Sequence, residues 1–215
     1  MKLNEEIRDC ILSIRGIENE YTRKAQARLD CLTKPIGSLG RLEEVATQYV
    51  AFREEEVPVV ANKRVYVFAA DHGITAEGVS AYPREVTPQM VHNFLAGGAA
   101  INVLARQAQA DVVVVDMGVD AEFGAIPGLL DRKVRRGTRN FAREAAMTAE
   151  EVNAALRAGI DLAGEARGQG CTLIAIGEMG IGNTSSATAI AAALTGIPAA
   201  QLTGAELGWT TQAML

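Results

Sequence analysis

The chain has 215 residues, 48% hydrophobic and 22% charged, with a formal net charge of −5. That length can bury a proper core, and the acidic balance argues against nonspecific nucleic-acid binding. No apolar run approaches the ~20 residues needed to span a bilayer. The opening MKLNEEIRDC carries acids where a secretory signal has a positive and then an apolar segment, so a cytoplasmic protein with neither membrane nor nucleic-acid partners is expected. Cys10, Cys31 and Cys171 are odd in number, widely spaced and without a CxxC pair, which reads as reduced thiols rather than a disulfide framework or zinc site. Two histidines, His72 and His92, leave little material for a metal cage, and none is expected.

In chain order, residues 1–56 read as a helical subdomain. Ile7, Ile11 and Ile14 share one face, then Ala25, Leu29 and Leu32, then Leu39, Leu42, Val45, Ala46 and Tyr49. Pro35 and Gly37 break the pattern, and Ser38 is placed to N-cap the third helix. From Arg64 the pattern changes. Val65–Ala70 predicts a buried strand ending in Asp71-His72-Gly73, and Thr87-Pro88 reads as an N-cap followed by Pro at the first helical position. Gly97-Gly98 interrupts the apolar pattern that follows and marks close packing or a kink. Asp111–Asp116 is a second buried strand, residues 117–146 look irregular, and Thr148-Ala149-Glu150-Glu151 is a capping box opening a helix to about Arg167. Thr172–Ile176 is a third buried strand, followed by a glycine-rich stretch and an Ala-rich helix from Ala187 to Leu194.

Strand and helix alternate from residue 64, which argues for an α/β fold: a parallel Rossmann-like sheet with flanking helices, occupying residues 57–204 behind the N-terminal helical subdomain. Ligands of such sheets bind outside the carboxyl ends of the strands. Asp71, Asp116 and Glu178 each close a predicted strand, so the three acids should line one edge.

The stretch Gly177-Glu178-Met179-Gly180-Ile181-Gly182-Asn183-Thr184-Ser185-Ser186 joins the third strand to the Ala-rich helix. It could be a plain tight connection. Its three glycines with Asn, Thr and two Ser favour phosphate or ribose binding at a helix N-terminus. It lacks the Lys of a Walker loop and does not follow the dinucleotide pattern. Asp71-His72 could be a metal or general-base pair; with no third ligand in view, the simpler reading is an Asp fixing a His at the sheet edge. Arg132, Lys133, Arg135, Arg136 and Arg139 read as a solvated loop face. Tyr82 and Met90 flank the first sheet-edge loop, where they could wall a flat ligand, although Met90 fits a core role equally well.

Taken together, the motifs resemble one family. Lys34-Pro35-Ile36-Gly37-Ser38-Leu39-Gly40-Arg41-Leu42, then Asp71-His72-Gly73 with Gly78–Pro83 and Val86-Thr87, then Asp116–Asp120, then Gly177–Ser185 are similar, in order, to blocks of the nicotinate-nucleotide–dimethylbenzimidazole phosphoribosyltransferases. The resemblance implies transfer of a phosphoribosyl group from nicotinate mononucleotide to 5,6-dimethylbenzimidazole in cobalamin lower-ligand assembly, giving α-ribazole 5′-phosphate and nicotinate. These small molecules are the implied partners, and no cofactor is implied. It places phosphate and ribose on Gly180, Gly182, Asn183 and Thr184, the catalytic carboxylate Glu178 near the reacting sugar, and the benzimidazole against Tyr82, Met90 and Ile181. Asp71, His72 and Asp116 support the site. Some members carry Ser and Gln where Tyr82 and Met90 stand, which opens the question of the preferred base.

The resemblance stops at about residue 204. Ala205-Glu206-Leu207-Gly208-Trp209-Thr210-Thr211-Gln212 stands where the family has something like GRGTGLDD, and a one-base shift of a compatible codon set interconverts the two. Residues 205–215 are therefore expected to be out-of-frame sequence in a truncated chain lacking the family's late general-base Glu, a point the nucleotide sequence decides. Loss of later strands would leave an open parallel edge, so a homodimer or other oligomer is expected. The competing readings are a non-catalytic nucleotide- or benzimidazole-binding fragment that needs a separate C-terminal half, and an unrelated hydrolase using Asp71 and His72.

Overall fold

A computed structural model describes residues 3–17 and 19–203; residues 205–215, expected to be out-of-frame sequence, lie outside them. The chain divides into two compact units, Glu5–Ala61 and the residues from Asn62 onward, the latter with Asn4.

The first unit holds α1 (Glu5–Leu12), α2 (Asn19–Asp30) and α3 (Arg41–Arg53), and α2 packs against α3. Ile7, Ala25 and Ala51 are its buried apolar residues. Ser38 does not cap α3. The cap residue is Gly40, in a positive-φ conformation with no side-chain hydrogen bond, and the Glu43 carboxylate, inside the helix, accepts the N–H of Leu39 at 3.1 Å. Glu43 also pairs with Lys34 at 2.8 Å with both side chains largely buried. That ammonium, and then the Leu39 N–H, hold its pKa below the ordinary carboxylate range. A long acid reaching back from the third helical residue has taken over the work expected of the serine.

The second unit is α/β. Its strands are β1 (Lys63–Ala70), β2 (Ala110–Gly118), β3 (Leu129–Asp131) and β4 (Leu173–Met179), all parallel and ordered β3-β2-β1-β4. Its helices are α4 (Val86–Leu95), α5 (Ala100–Ala108), α6 (Ala149–Gly168), α7 (Asn183–Thr195) and the short α8 (Ala199–Leu202). Side chains alternate across β1 as the pleat requires. Val67 and Ala69 join Val91 and Phe94 of α4 in one cluster, while Tyr66 joins Leu162 and Ala166 of α6 in another. The sheet is thus covered by α4 on one face and α6 on the other. Tyr66 is buried because its hydroxyl is satisfied, bonded to the carbonyl of Leu162 at 3.2 Å.

Thr148 caps α6 as its sequence predicts: its hydroxyl accepts the Glu151 N–H at 3.2 Å, and the Glu151 carboxylate accepts the Thr148 N–H at 2.7 Å. The glycine pair does more than kink a helix. α4 stops at Leu95 and α5 starts at Ala100, with Gly97 at φ 77° between them. Strand β3 falls in the segment that looks irregular in sequence; three residues are too few for periodicity to register. Strand β4 departs from the expected buried strand. Among the described residues it pairs only with β1, and Ile176 is 78% exposed. Met179 at its end packs against the Val67–Phe94 cluster, whereas Leu173, Ile174 and Ile176 stay exposed and α7, which follows, buries no residue.

Candidate active site

The parallel register brings the strand ends together. Ala69 of β1 lies opposite Asp116 of β2 and opposite Met179 of β4, so Asp71, Asp116 and Glu178 share the carboxyl edge of the sheet. Around β1 the connections leave in opposite senses, since β1 runs on to β2 on one side and β3 runs on to β4 on the other. A crevice at such a switch point is where open α/β sheets bind ligands.

The three acids have different surroundings. Asp116 is buried, with Oδ1 accepting the N–H groups of Gly118 and Val119 at 3.0 and 2.9 Å. Its Oδ2 pairs with Lys133 Nζ at 3.0 Å, and Lys133 also donates to the carbonyls of Val119 and Ala121 at 2.6 and 2.8 Å. Asp116 is therefore taken up in holding the loop after β2. Asp71 is also buried, and its Oδ2 accepts the N–H of Asp120 at 2.7 Å. Burial pushes its pKa up, against the opposing pull of the Thr87 hydroxyl, Arg84 and His72.

Glu178 is the acid that meets His72. Its Oε1 lies 2.9 Å from His72 Nε2, and Ser186 Oγ lies 3.0 Å from His72 Nδ1. This corrects the expectation that Asp71 fixes His72: both ring nitrogens are already engaged by β4 and α7. Asp71 instead anchors the loop after β2.

The glycine-rich stretch divides differently from its sequence reading. Gly177, Glu178 and Met179 belong to β4, Gly182 is the cap residue of α7 at φ 87°, and Asn183, Thr184 and Ser186 lie in the first turn of α7. Gly180 is required by space: a Cβ there would stand 2.1 Å from the Ala70 carbonyl oxygen and 2.7 Å from both Glu178 Oε1 and His72 Nε2. Gly73 is equally hemmed in, by the backbone of Thr138, Arg139 and Asn140. Its N–H donates to Thr138 Oγ1 at 3.1 Å.

Thr87 is not the N-cap of α4. The helix begins at Val86 with Glu85 as its cap residue, so the fully buried Thr87 hydroxyl is free to accept the N–H of Ile181 at 3.1 Å. The half-exposed Tyr82 lines a cleft of about 470 Å³ with Gly73, Thr75, Ser80 and Arg84. Met90 is not in that wall; it packs beside the Val67–Phe94 cluster, and Asn93 Nδ2 donates to its Sδ at 3.9 Å. A larger cleft, about 640 Å³, opens at the other side of the edge between Asp116, Phe123, Leu129 and Lys133.

The basic run is tied down by acids. Arg139 makes two bonds to Glu151, at 2.7 and 3.1 Å, Arg132 pairs with Glu165 at 3.3 Å, and Arg136 pairs with Glu122. Thr138 carries no signal in sequence, and Ser186 stands out there only as one of the two Ser of the glycine-rich stretch, not as a partner of His72. Only the pairing of β1 with β4 and the fold of the 138–140 segment give them partners. Among the described residues no helix is long and apolar enough to cross a membrane.

A family model described as phosphoribosyltransferase matches residues 14–214. The chain belongs to this family. Within it, the chain is 56% identical over 206 residues to the nicotinate-nucleotide–dimethylbenzimidazole phosphoribosyltransferase of Geobacter sulfurreducens, covering 96% of this chain and 58% of that protein. It is 50% identical over 204 residues to the protein of the same name from Prosthecochloris aestuarii, with 95% and 58% covered. The fold matches the crystal structure of CobT from Thermus thermophilus with a TM-score of 0.86 at 50% identity, over 91% of this chain and 59% of that one. The chain therefore spans somewhat more than half the length of the family relatives it matches.

Proposed function

We propose that the chain carries the nucleotide side of a phosphoribosyl transfer from nicotinate mononucleotide to 5,6-dimethylbenzimidazole, yielding α-ribazole 5′-phosphate and nicotinate. The observation that carries this reading is the seat of Glu178, bonded to His72 at 2.9 Å immediately before the glycine turn that opens α7. A carboxylate there can stabilise positive charge developing on the sugar as nicotinate leaves. The first turn of α7 offers backbone N–H groups to a phosphate. Gly180, Gly182, Asn183 and Thr184 take the phosphate and ribose in this reading. Tyr82 and Ile181 face the aromatic base in this reading. Asp71, His72 and Asp116 hold the edge in place. The names of the similar proteins support the substrates. The helical subdomain at residues 1–56 and the α/β domain at 57–204 are proposed as its working parts, in a homodimer or other oligomer in the cytoplasm.

The test is to titrate nicotinate mononucleotide into the chain and, separately, to assay α-ribazole 5′-phosphate formation with both substrates. Saturable binding that is lost when Asn183 and Thr184 are replaced by Ala supports the reading. Absence of both binding and turnover overturns it.

The exposure of Ile176 on β4 and Leu194 on α7 (78% and 82%) favours a second reading. In it the chain binds nucleotide or benzimidazole but turns over only when another polypeptide covers that edge. Binding without turnover, with turnover restored by the remaining portion of a relative supplied separately, distinguishes this reading from the first.

A further inference from the structure

Three side chains from three parts of the second unit form one chain of hydrogen bonds at the sheet edge. Glu178 comes from β4, His72 from the loop after β1, and Ser186 from the first turn of α7. The imidazole is mostly enclosed, its side chain 13% exposed. Its backbone carbonyl accepts from Thr75 Oγ1 at 2.9 Å. Gly182 lies against it so closely that a Cβ there would stand 3.6 Å from His72 Cβ and 2.9 Å from Thr75 Cγ2.

Elementary hydrogen-bond chemistry assigns the protons. An ionised carboxylate only accepts, so the 2.9 Å contact to Glu178 Oε1 requires a hydrogen on Nε2. A neutral imidazole then has a bare Nδ1, which only accepts, so the Ser186 hydroxyl is the donor across 3.0 Å. We propose that His72 is the positioning residue of the Glu178 carboxylate, held as the Nε2–H tautomer by that carboxylate and the Ser186 hydroxyl together, so that Oε1 is fixed and Oε2 is left for the ligand.

The surroundings fit. Glu178 Oε2 has no hydrogen-bond partner among the described residues, and the Glu178 side chain is 35% exposed. Gly180 removes the one atom that would separate the carboxylate from the ring. Asp71, another charged group near His72, spends Oδ2 on the Asp120 N–H. Ser186 stands where a helical hydroxyl could turn back to a carbonyl of the preceding turn; its oxygen goes to the imidazole instead. Setting the orientation of a reactive carboxylate before the ligand arrives lowers the cost of ordering it in the reaction. This role rests on the transferase reading for what Oε2 faces. The tautomer itself does not, and is measured without substrate.

The experiment is a two-bond 1H–15N correlation spectrum of the ligand-free 215-residue chain labelled at histidine, recorded at about pH 8, above the ordinary imidazole range. Only His72 and His92 contribute, and H92Q assigns them. The expected result is a single Nε2–H pattern for His72, kept in S186T, which retains the hydroxyl, and replaced by a tautomer mixture in the S186A/E178A double variant, which removes both partners. Circular dichroism of each variant distinguishes lost folding from lost positioning. A hydrogen on Nδ1 in the wild-type chain, or the same pattern in the wild-type chain and the folded S186A/E178A double variant, overturns the proposal. Neither result touches nicotinate mononucleotide binding, so the two readings fail separately.

Discussion

The hydroxyl of Thr87 accepts the backbone N–H of Ile181 at 3.1 Å, so the second residue of α4 holds the turn that follows β4. The two are 94 residues apart in sequence, and one buried oxygen ties the glycine stretch to the opposite side of the crevice. T87V keeps the shape and removes the acceptor. It should cost roughly 1–3 kcal/mol, because it leaves a partly buried donor unsatisfied, whereas T87S should stay close to wild type. Urea unfolding midpoints of the two variants check this, and equal midpoints would contradict it.

G180A tests the crowding behind Glu178. The added methyl would lie 2.1 Å from the Ala70 carbonyl oxygen, a backbone atom, so β1 and the start of α7 must move apart. The expected outcome is loss of the His72–Glu178 contact in the histidine spectrum, together with loss of nicotinate mononucleotide binding. A variant that binds as wild type would show that the close approach has no bearing on the site.

Acid stability should depend on Glu151. The Arg139 guanidinium, and next the Thr148 N–H, hold its pKa down to about 2 from the ordinary 4.5. A depressed acid stabilises the fold fully above its unfolded pKa and loses that contribution as pH falls. The loss for Glu151 therefore runs from about pH 4.5 down to about pH 2. Denaturation midpoints measured across that window should fall more steeply for wild type than for E151Q, and the two curves should converge at the acid end.

Asp71 should behave with the opposite sign. Burial raises its pKa above 3.8, so the folded chain holds the proton more tightly than the unfolded one. Its contribution is then most favourable at low pH and declines as pH rises from 3.8 through the raised value. D71N, which has no charge to bury, should lack that decline. The stability difference between wild type and D71N, followed by urea denaturation upward from about pH 3.8, should move against wild type; a difference independent of pH would refute the assignment.

The sheet and its edge were legible in the sequence because they rest on short-range signals. Val65–Ala70 and Val112–Val115 are continuous apolar runs each followed by an acid, and the register of β1, β2 and β4 puts those ends together. The Thr148–Glu151 box was legible because capping is decided within four residues. What the sequence hid was tertiary competition for hydroxyls and carboxylates. Thr87 looks like a cap, yet Ile181 lies within reach of its oxygen only after α4 and β4 have docked. Ser38 lost its role to Glu43, whose carboxylate was drawn in by Lys34. Asp71 and His72 are adjacent in sequence, yet successive residues leave a strand end in different directions, and each found its partner elsewhere. Tyr82 and Met90 parted for a similar reason: one lies on a loop at a cleft, the other on the side of α4 beside the core.

His72 and Glu178 are separated by 106 residues, and His72 and Ser186 by 114. During synthesis the chain can pair β1 with β2 and bury Val67 against α4 while nothing yet engages the imidazole. The histidine gains its partners only when the segment through Ser186 has emerged, so the candidate site forms later than the pairing of β1 with β2. Proteolytic cleavage between β2 and β4 would divide its two sides without removing any of these residues. Retention of the histidine signature after such a nick would report directly on how strongly β1 and β4 hold each other.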